Sequence, residues 1–307
     1  MSESKNIAVL GAGLMGHGIA LTFARNGHSV RVFDAYEASL ETLHERVRTS
    51  LTALGSTAEK TEEAITRITP FADLAASVAN ADVIFEAAPE KLDLKRALFA
   101  EAERHAPQDT LFASNTSVIP ITRIMSDLKD RARALGTHWW NPPHMIPLVE
   151  VIRTEWTSDA AMIAATDLLT SVGKTPVRVE KDVAGFIGNR LQHAMWREAI
   201  NLVEKGVCTA SDVDTVVNTS FGRRLSVLGP LANADLVGTD LTLDIHENVL
   251  ADLDNRPSPS PYLRALVEAG KLGMKTGEGF QSWTPEEADE VRQRVAAHLR
   301  ELETILS

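Results

Sequence analysis

Short apolar runs alternate with helix-period segments through the first half of the chain. Residues 7–10, 29–33, 83–85, 111–113, 134–137 and 148–152 are rich in Val, Ile, Leu and Phe and read as buried strands. Helical patterns separate most of them, and that alternation predicts a parallel sheet covered by helices. One stretch interrupts it. Leu40, Leu43, Val47, Leu51 and Leu54 recur at helical spacing, Gly55 stops that helix, and Ser56 or Thr57 caps a second one running to about Ile68. The pair, residues 37–67, reads as a helical hairpin projecting from the sheet.

The second half loses the strand signal. Ile187, Leu191, Met195, Glu198 and Leu202, with Ala194, Ala199 and Val203 beside them, predict a long helix with a wide apolar face. Near the C-terminus, Thr284-Pro285-Glu286-Glu287 fits a capping box with proline at the first helical position. Val291, Val295, Leu299, Leu302 and Leu306 form the stripe of that last helix. The change of character places a domain boundary near Ala184 and Gly185.

Composition narrows the partners. The chain has 307 residues, a formal net charge of −11 and 44% hydrophobic residues. That length suits two domains, and the acidity disfavours nucleic acid, whose phosphates need clustered Lys and Arg. A small molecule is the expected partner. No run approaches the roughly 18 apolar residues of a membrane span, and the N-terminus lacks the basic and apolar regions of a signal peptide. Cys208 is the single cysteine. It forms no intrachain disulfide, suits a reducing compartment and reads as an incidental thiol. The expected location is the cytoplasm, and no metal site is expected.

Residues 7–16 read Ile-Ala-Val-Leu-Gly-Ala-Gly-Leu-Met-Gly. A strand thus leads into G-x-G-x-x-G at Gly11, Gly13 and Gly16, with Leu14 and Met15 opening a helix. Gly11 permits the tight turn, Gly13 lets backbone approach a pyrophosphate, and Gly16 lets helix and strand pack closely. The helix N-terminus offers free N–H groups to phosphates. A second strand ends at Asp34, 18 residues after Gly16. A carboxylate there binds ribose hydroxyls and repels a 2′-phosphate, which favours NAD over NADP. The expected fold class is α/β. A Rossmann-type, doubly wound, mostly parallel sheet with a helical hairpin insertion spans 1–184, and an all-α substrate and dimerisation domain spans 185–307.

Residues 137–152 read Thr-His-Trp-Trp-Asn-Pro-Pro-His-Met-Ile-Pro-Leu-Val-Glu-Val-Ile. His138, Asn141 and Glu150 fit H-x-x-N-P followed by L-V-E-V. Ser114-Asn115-Thr116-Ser117 fits S-N-T-S. Residues 185–190 fit G-F-x-x-N-R, and residues 275–279 read K-T-G-E-G. With the glycine motif, this set resembles the 3-hydroxyacyl-CoA dehydrogenase family. The resemblance implies an NAD-dependent oxidation of a secondary alcohol to a ketone. That chemistry needs a base for the hydroxyl proton as hydride leaves carbon. An imidazole titrates near neutral pH, and a carboxylate partner fixes its tautomer and stabilises the imidazolium. His138 is the expected base and Glu150 its partner. The resemblance further implies that Ser117 and Asn189 contact the substrate oxygen. It places Glu90, Lys95, Ser117, Asn141 and Lys275 on the cofactor side, and it implies a homodimer. His144 reads as pocket lining or structural, and Trp139 and Trp140 as core or pocket wall.

Two features depart from the CoA-using members. Those carry a lysine-rich hairpin, whereas residues 37–67 hold four bases (Arg46, Arg48, Lys60, Arg67) against six acids (Glu37, Glu41, Glu45, Glu59, Glu62, Glu63), a net −2. Such a surface repels anionic CoA. Residues 222–230 form a longer segment with Arg224, like family members that act on free carboxylates, and a guanidinium grips a carboxylate through paired hydrogen bonds. A free hydroxy acid is therefore the expected substrate, with an acyl-CoA as the alternative. Two other readings compete: the beta-hydroxyacid dehydrogenase group, which uses a lysine base, and an NAD-binding structural or sensor protein. The complete His138–Glu150 pairing argues against both.

Overall fold

A computed structural model of the chain describes residues 3–306, with side chains as far as Leu302. It divides into two compact units. One holds the chain up to Arg190 together with residues from 299 onward; the other holds residues 191–298.

The first unit is an α/β sandwich. Its strands are β1 (Asn6–Leu10), β2 (Ser29–Phe33), β3 (Ile68–Phe71), β4 (Val83–Glu86), β5 (Leu111–Ser114), β6 (Ala134–Trp139), β7 (Leu148–Arg153) and β8 (Thr175–Val179). They form one sheet in the order β3-β2-β1-β4-β5-β6-β7-β8. All neighbouring pairs are parallel except β6 with β7. The chain leaves β1 toward β2 and β3, then returns to the other side of β1 as β4. That reversal opens a crevice at the C-terminal ends of β1 and β4, where such sheets bind ligands.

Alternation along each strand feeds two cores. Ile7 and Val9 of β1 join Phe23, Val32 and Trp139 on one face, and Ala8 and Leu10 join Ile84, Phe99 and Phe112 on the other. The covering helices are α1 (Leu14–Arg25), α2 (Glu37–Glu41), α3 (Leu43–Ala53), α4 (Ala58–Thr66), α5 (Leu74–Val78), α6 (Leu92–His105), α7 (Ile121–Ile124) and α8 (Asp159–Ser171).

Three expectations need correction. Strands β3 and β8 are absent from the sequence reading. Each lies at a sheet edge and carries a proline, Pro70 and Pro176. Edge strands tolerate proline because one side of the backbone needs no partner, so their apolar signal is weak. Ile68 belongs to β3 rather than to the preceding helix. The hairpin does not project either. Leu43, Val47 and Leu51 of α3 and Ala64 and Ile65 of α4 are buried in one core with Ile19 and Phe23 of α1. The apolar face that gave the helical period is thus spent against α1. Thr57 rather than Ser56 caps α4, accepting the N–H of Lys60.

The second unit is helical. The chain enters it along α9 (Gly188–Glu204) and continues through α10 (Ala210–Thr219), a 3-10 turn at Phe221–Arg224, α11 (Pro230–Val237), α12 (Thr239–Val249), α13 (Pro261–Glu268) and α14 (Pro285–Leu306). The capping box before α14 is formed: Glu287 accepts the N–H of Thr284 at 2.8 Å, and the Thr284 hydroxyl accepts that of Glu287 at 3.2 Å. The Leu306 side chain lies outside the described residues. Glu198, the polar member of the α9 stripe, accepts the backbone N–H of Asp254 at 2.7 Å and so ties the helix to a loop. Much of this unit's apolar surface is open: Leu191 is 59% exposed, Leu236 72%, and Val227 and Leu231 81% each. No described helix is long and apolar enough to cross a membrane.

Candidate active site

The cofactor end is built by the turn from β1 into α1. Gly11 adopts φ +108°, and a Cβ there would meet the Ala87 carbonyl oxygen at 2.7 Å. A Cβ on Gly16 would fall 1.7 Å from the Gly11 carbonyl oxygen, so helix and turn touch directly. Gly13 faces open space and caps α1 without a side-chain hydrogen bond, so the first N–H groups of α1 remain available. Leu14 is 66% exposed at the same helix start. Asp34 stands at the end of β2, and its carboxylate accepts the N–H of Ala12 at 2.7 Å and of Tyr36 at 2.9 Å. It keeps lone pairs for further donors, because a carboxylate offers about four acceptor positions. An open glycine at an uncapped helix start, flanked by a carboxylate, fits a dinucleotide: phosphates on the helix, ribose on Asp34.

A cavity of about 480 Å³ continues from this turn along the C-terminal ends of β4, β5 and β6. Met15, Glu90, Ser117, His138, Asn141 and Asn189 all line it. Six residues proposed from distant parts of the sequence therefore share one cleft.

His138 and Glu150 sit directly opposite each other on the antiparallel strands β6 and β7. Nδ1 of His138 and Oε2 of Glu150 are 2.7 Å apart, and both side chains are buried. The other oxygen of Glu150 accepts the N–H groups of Ile187 and Gly188 at 2.8 and 3.0 Å, where α9 begins. The chain reaches that point through left-handed residues, Gly185 at φ 75° and Phe186 at φ 49°. Burial pushes the Glu150 carboxyl upward, but the bonds from His138, Gly188 and Ile187 outweigh it and hold the group below the usual carboxylate range. An ionised carboxylate only accepts, so Nδ1 carries a proton, and in the neutral ring Nε2 presents a lone pair. Among the described residues Nε2 has no partner, and His138 lines the cleft between the rings of Trp140 and Phe186, 5.2 and 5.5 Å away.

Beneath the cleft, Glu90 and Lys95 join a charged cluster whose centre, Glu86, the sequence reading missed. Glu86, at the end of β4, is fully buried. It accepts Lys95 Nζ at 2.7 Å, the Ser114 hydroxyl at 2.6 Å and the Ala88 N–H at 2.7 Å. Lys95 also donates to the Ala88 carbonyl at 3.1 Å and faces Glu90 at 3.4 Å. Its side chain is fully enclosed, so Lys95 does not line the cleft and acts on it through Glu90. Glu90 in turn accepts the Thr116 hydroxyl and the N–H groups of Ser117 and Val118. Burial raises its carboxyl, yet Thr116, Lys95 and Val118 hold it low. Ser117 is thereby fixed, and its carbonyl accepts Nδ2 of Asn189 at 3.0 Å.

Other residues lie elsewhere. His144 is not part of the cleft lining; its ring is 6.1 Å from that of His17 on α1, and Pro143 packs where a Cβ on Gly18 would stand. Trp139 is buried against Phe23 and Phe85 and, like Trp140, also borders the cleft. Lys275 and Arg224 belong to the second unit. Lys275 is exposed and lines an apolar cavity there, and Arg224 is exposed in the 3-10 turn with no ion pair among the described residues. Cys208 is a free thiol. On the hairpin, Arg48 pairs with Glu45 and Glu62, Arg67 pairs with Glu63, and Arg46 donates to the carbonyls of Gly13 and Ser39.

Residues 6–183 match the family described as 3-hydroxyacyl-CoA dehydrogenase, NAD binding domain, and residues 185–283 match its C-terminal domain. The chain belongs to the 3-hydroxyacyl-CoA dehydrogenase family. It is an NAD-dependent dehydrogenase acting on CH–OH groups. The 5-formyl-3-hydroxy-2-methylpyridine 4-carboxylate 5-dehydrogenase of Mesorhizobium japonicum is 37% identical, over 98% of each chain. A crystal structure of an enzyme of that name, described as an NAD+ dependent dismutase, superposes with a TM-score of 0.91 at 36% identity over 99% of each chain. The probable 3-hydroxybutyryl-CoA dehydrogenase of Bacillus subtilis is also 37% identical, over 92% of this chain and 98% of its own.

In this dehydrogenase the His144 imidazole is pushed down to about 4, chiefly by burial and then by the charges of His17, Lys174 and Arg25. Unfolded, it titrates near 6.5, the ordinary histidine value. Between those values the unfolded chain binds a proton that the folded chain refuses, so acidification favours unfolding. The urea midpoint is expected to fall between about pH 7 and about pH 5, and to fall less in His144→Gln. Equal slopes in the two proteins would contradict this.

Proposed function

We propose that the protein oxidises a secondary alcohol on a free hydroxy acid to the ketone, with His138 as the base. The observation that carries this reading is Nε2 of His138, without a partner among the described residues, in a cleft where Glu150 holds the ring through Nδ1 at 2.7 Å. Bound NAD supplies the hydride acceptor. The substrate hydroxyl docks against Nε2, with Ser117 and Asn189 as polar neighbours. Nε2 takes the hydroxyl proton as the carbon loses hydride, and Glu150 stabilises the resulting imidazolium. In the reverse direction the same nitrogen returns the proton. Asp34 and the glycine turn hold the adenosine and pyrophosphate, and Met15, Glu90 and Asn141 border the nicotinamide half.

Three observations support a free acid over a CoA ester. The hairpin is net negative, and two of its arginines are already paired with glutamates. Arg224 is an exposed guanidinium without an ion pair among the described residues, suited to a substrate carboxylate. Helix α14 begins beyond the end of the family match at residue 283, and the Mesorhizobium relative, whose named substrate is a carboxylate, matches 98% of the chain. A 3-hydroxyacyl-CoA remains the competing substrate, as the Bacillus relative's name suggests. A second reaction deserves inclusion because the structure at TM-score 0.91 is described as a dismutase. A hydrated aldehyde offers His138 the same C–OH group, and loss of hydride and a proton from it leaves a carboxylic acid.

The open apolar surface of the second unit supports a homodimer, since large contiguous patches on soluble proteins mark interfaces. The lone cysteine accords with the reducing cytoplasm.

A panel of hydroxy acids, aldehydes and 3-hydroxyacyl-CoA esters, followed by NADH absorbance, tests the substrate class. Turnover of CoA esters alone would overturn the free-acid reading, and NADH binding without any turnover would favour a structural role. His138→Gln is expected to lower kcat by about 10²–10⁴-fold with NADH affinity unchanged; retained kcat would remove it as the base. Arg224→Ala should raise KM for the free acid by roughly 10- to 100-fold and leave a neutral alcohol unaffected, and equal effects would contradict it. Light scattering should give a dimer mass, lost in Leu231→Glu; a monomeric parent protein would refute the interface.

A further inference from the structure

Asn115 follows β5, and its backbone N–H continues the sheet ladder to the Glu86 carbonyl at 2.7 Å. Its side chain crosses to the end of β6, where Oδ1 accepts the backbone N–H of Trp139 at 2.9 Å. A backbone N–H only donates, so the atom facing it is the oxygen, and the orientation of the amide follows from chemistry. Nδ2, at the other end, carries two donors. Among the described residues it has no partner, yet it is not one of the sealed, unsatisfied atoms, and Asn115 lines the cleft beside Ala87, Ala88 and His138. The amide is therefore pinned at one end and presents donors to the cleft at the other.

The strand order says which acceptor arrives there. Asp34 follows β2, the glycine turn follows β1, Ala87 and Ala88 follow β4, Asn115 follows β5, and His138 lies in β6; the strands run β2-β1-β4-β5-β6. A dinucleotide laid with its ribose on Asp34 and its pyrophosphate on α1 brings its nicotinamide to the ends of β4 and β5. The carbinol then occupies the far side, against His138. We propose that Asn115 is a cofactor-binding residue whose Nδ2 donates to the carboxamide oxygen of the nicotinamide and so fixes the ring's rotation beside His138. The inference rests on the reading of the cleft given above.

Calorimetric affinities for NADH and for ADP-ribose, which lacks the nicotinamide, provide the test. Asn115→Asp keeps the acceptor for Trp139 and removes the donors; Asn115→Ala removes both. Each variant is expected to bind NADH about tenfold more weakly and ADP-ribose within about twofold of the parent, as for one lost hydrogen bond. Equal weakening of both ligands would overturn the proposal in favour of a structural role through Trp139. Unchanged NADH affinity with a raised KM for the hydroxy acid would overturn it in favour of a substrate contact. A parent protein that binds NADH no more tightly than ADP-ribose would overturn the cleft reading itself.

Discussion

One hydrogen bond organises the centre of this protein: His138 to Glu150, across the antiparallel pair β6 and β7. In an antiparallel pair, residues directly opposite each other project to the same face, so the imidazole and the carboxylate meet without help from any loop. Glu150 does two jobs with its two oxygens. One fixes the imidazole tautomer, and the other receives the first N–H groups of α9. A carboxylate at a helix start is favoured by the helix dipole. The His138 imidazole is thus oriented by the same group that anchors the chain where it leaves the first unit.

The rest of the cleft follows a similar logic of anchored polar groups. Glu86 and Lys95 form an enclosed ion pair, which is costly unless every donor and acceptor is satisfied. Here they are: Ser114, Ala88 and Glu90 complete the set. The arrangement passes rigidity upward to Glu90, then to Thr116 and Ser117, and then to Asn189. Ser117 and Asn189, which line the cleft, are held by a buried network rather than by their own short turns, which is the kind of preorganisation that catalysis requires.

Much of this was legible in the sequence because its signals are local. The glycine turn follows a strand and precedes a helix, so Gly11, Gly13, Gly16 and Asp34 could be placed by spacing alone. His138 and Glu150 are twelve residues apart, within one hairpin. What was not legible depends on tertiary partners. The enclosure of Lys95 is set by Glu86, whose position at a strand end carries no motif. The amide of Asn115 is oriented by a backbone N–H 24 residues away. Edge strands β3 and β8 hide behind prolines, and the hairpin's apolar face gave its period but not its partner, α1. His144 sits inside a conspicuous motif yet packs on His17, because the loop after Asn141 folds over Gly18.

The position of a substrate oxygen decides the role of His138. The most direct measurement is a crystal structure with NADH and the ketone product or a hydroxy-acid analogue bound. The account predicts the ligand oxygen about 3 Å from Nε2 of His138, within hydrogen-bond reach of a general base. The carbinol carbon should face the nicotinamide ring. A ligand oxygen bound away from Nε2, or a His138 turned off Glu150 in the complex, would contradict it.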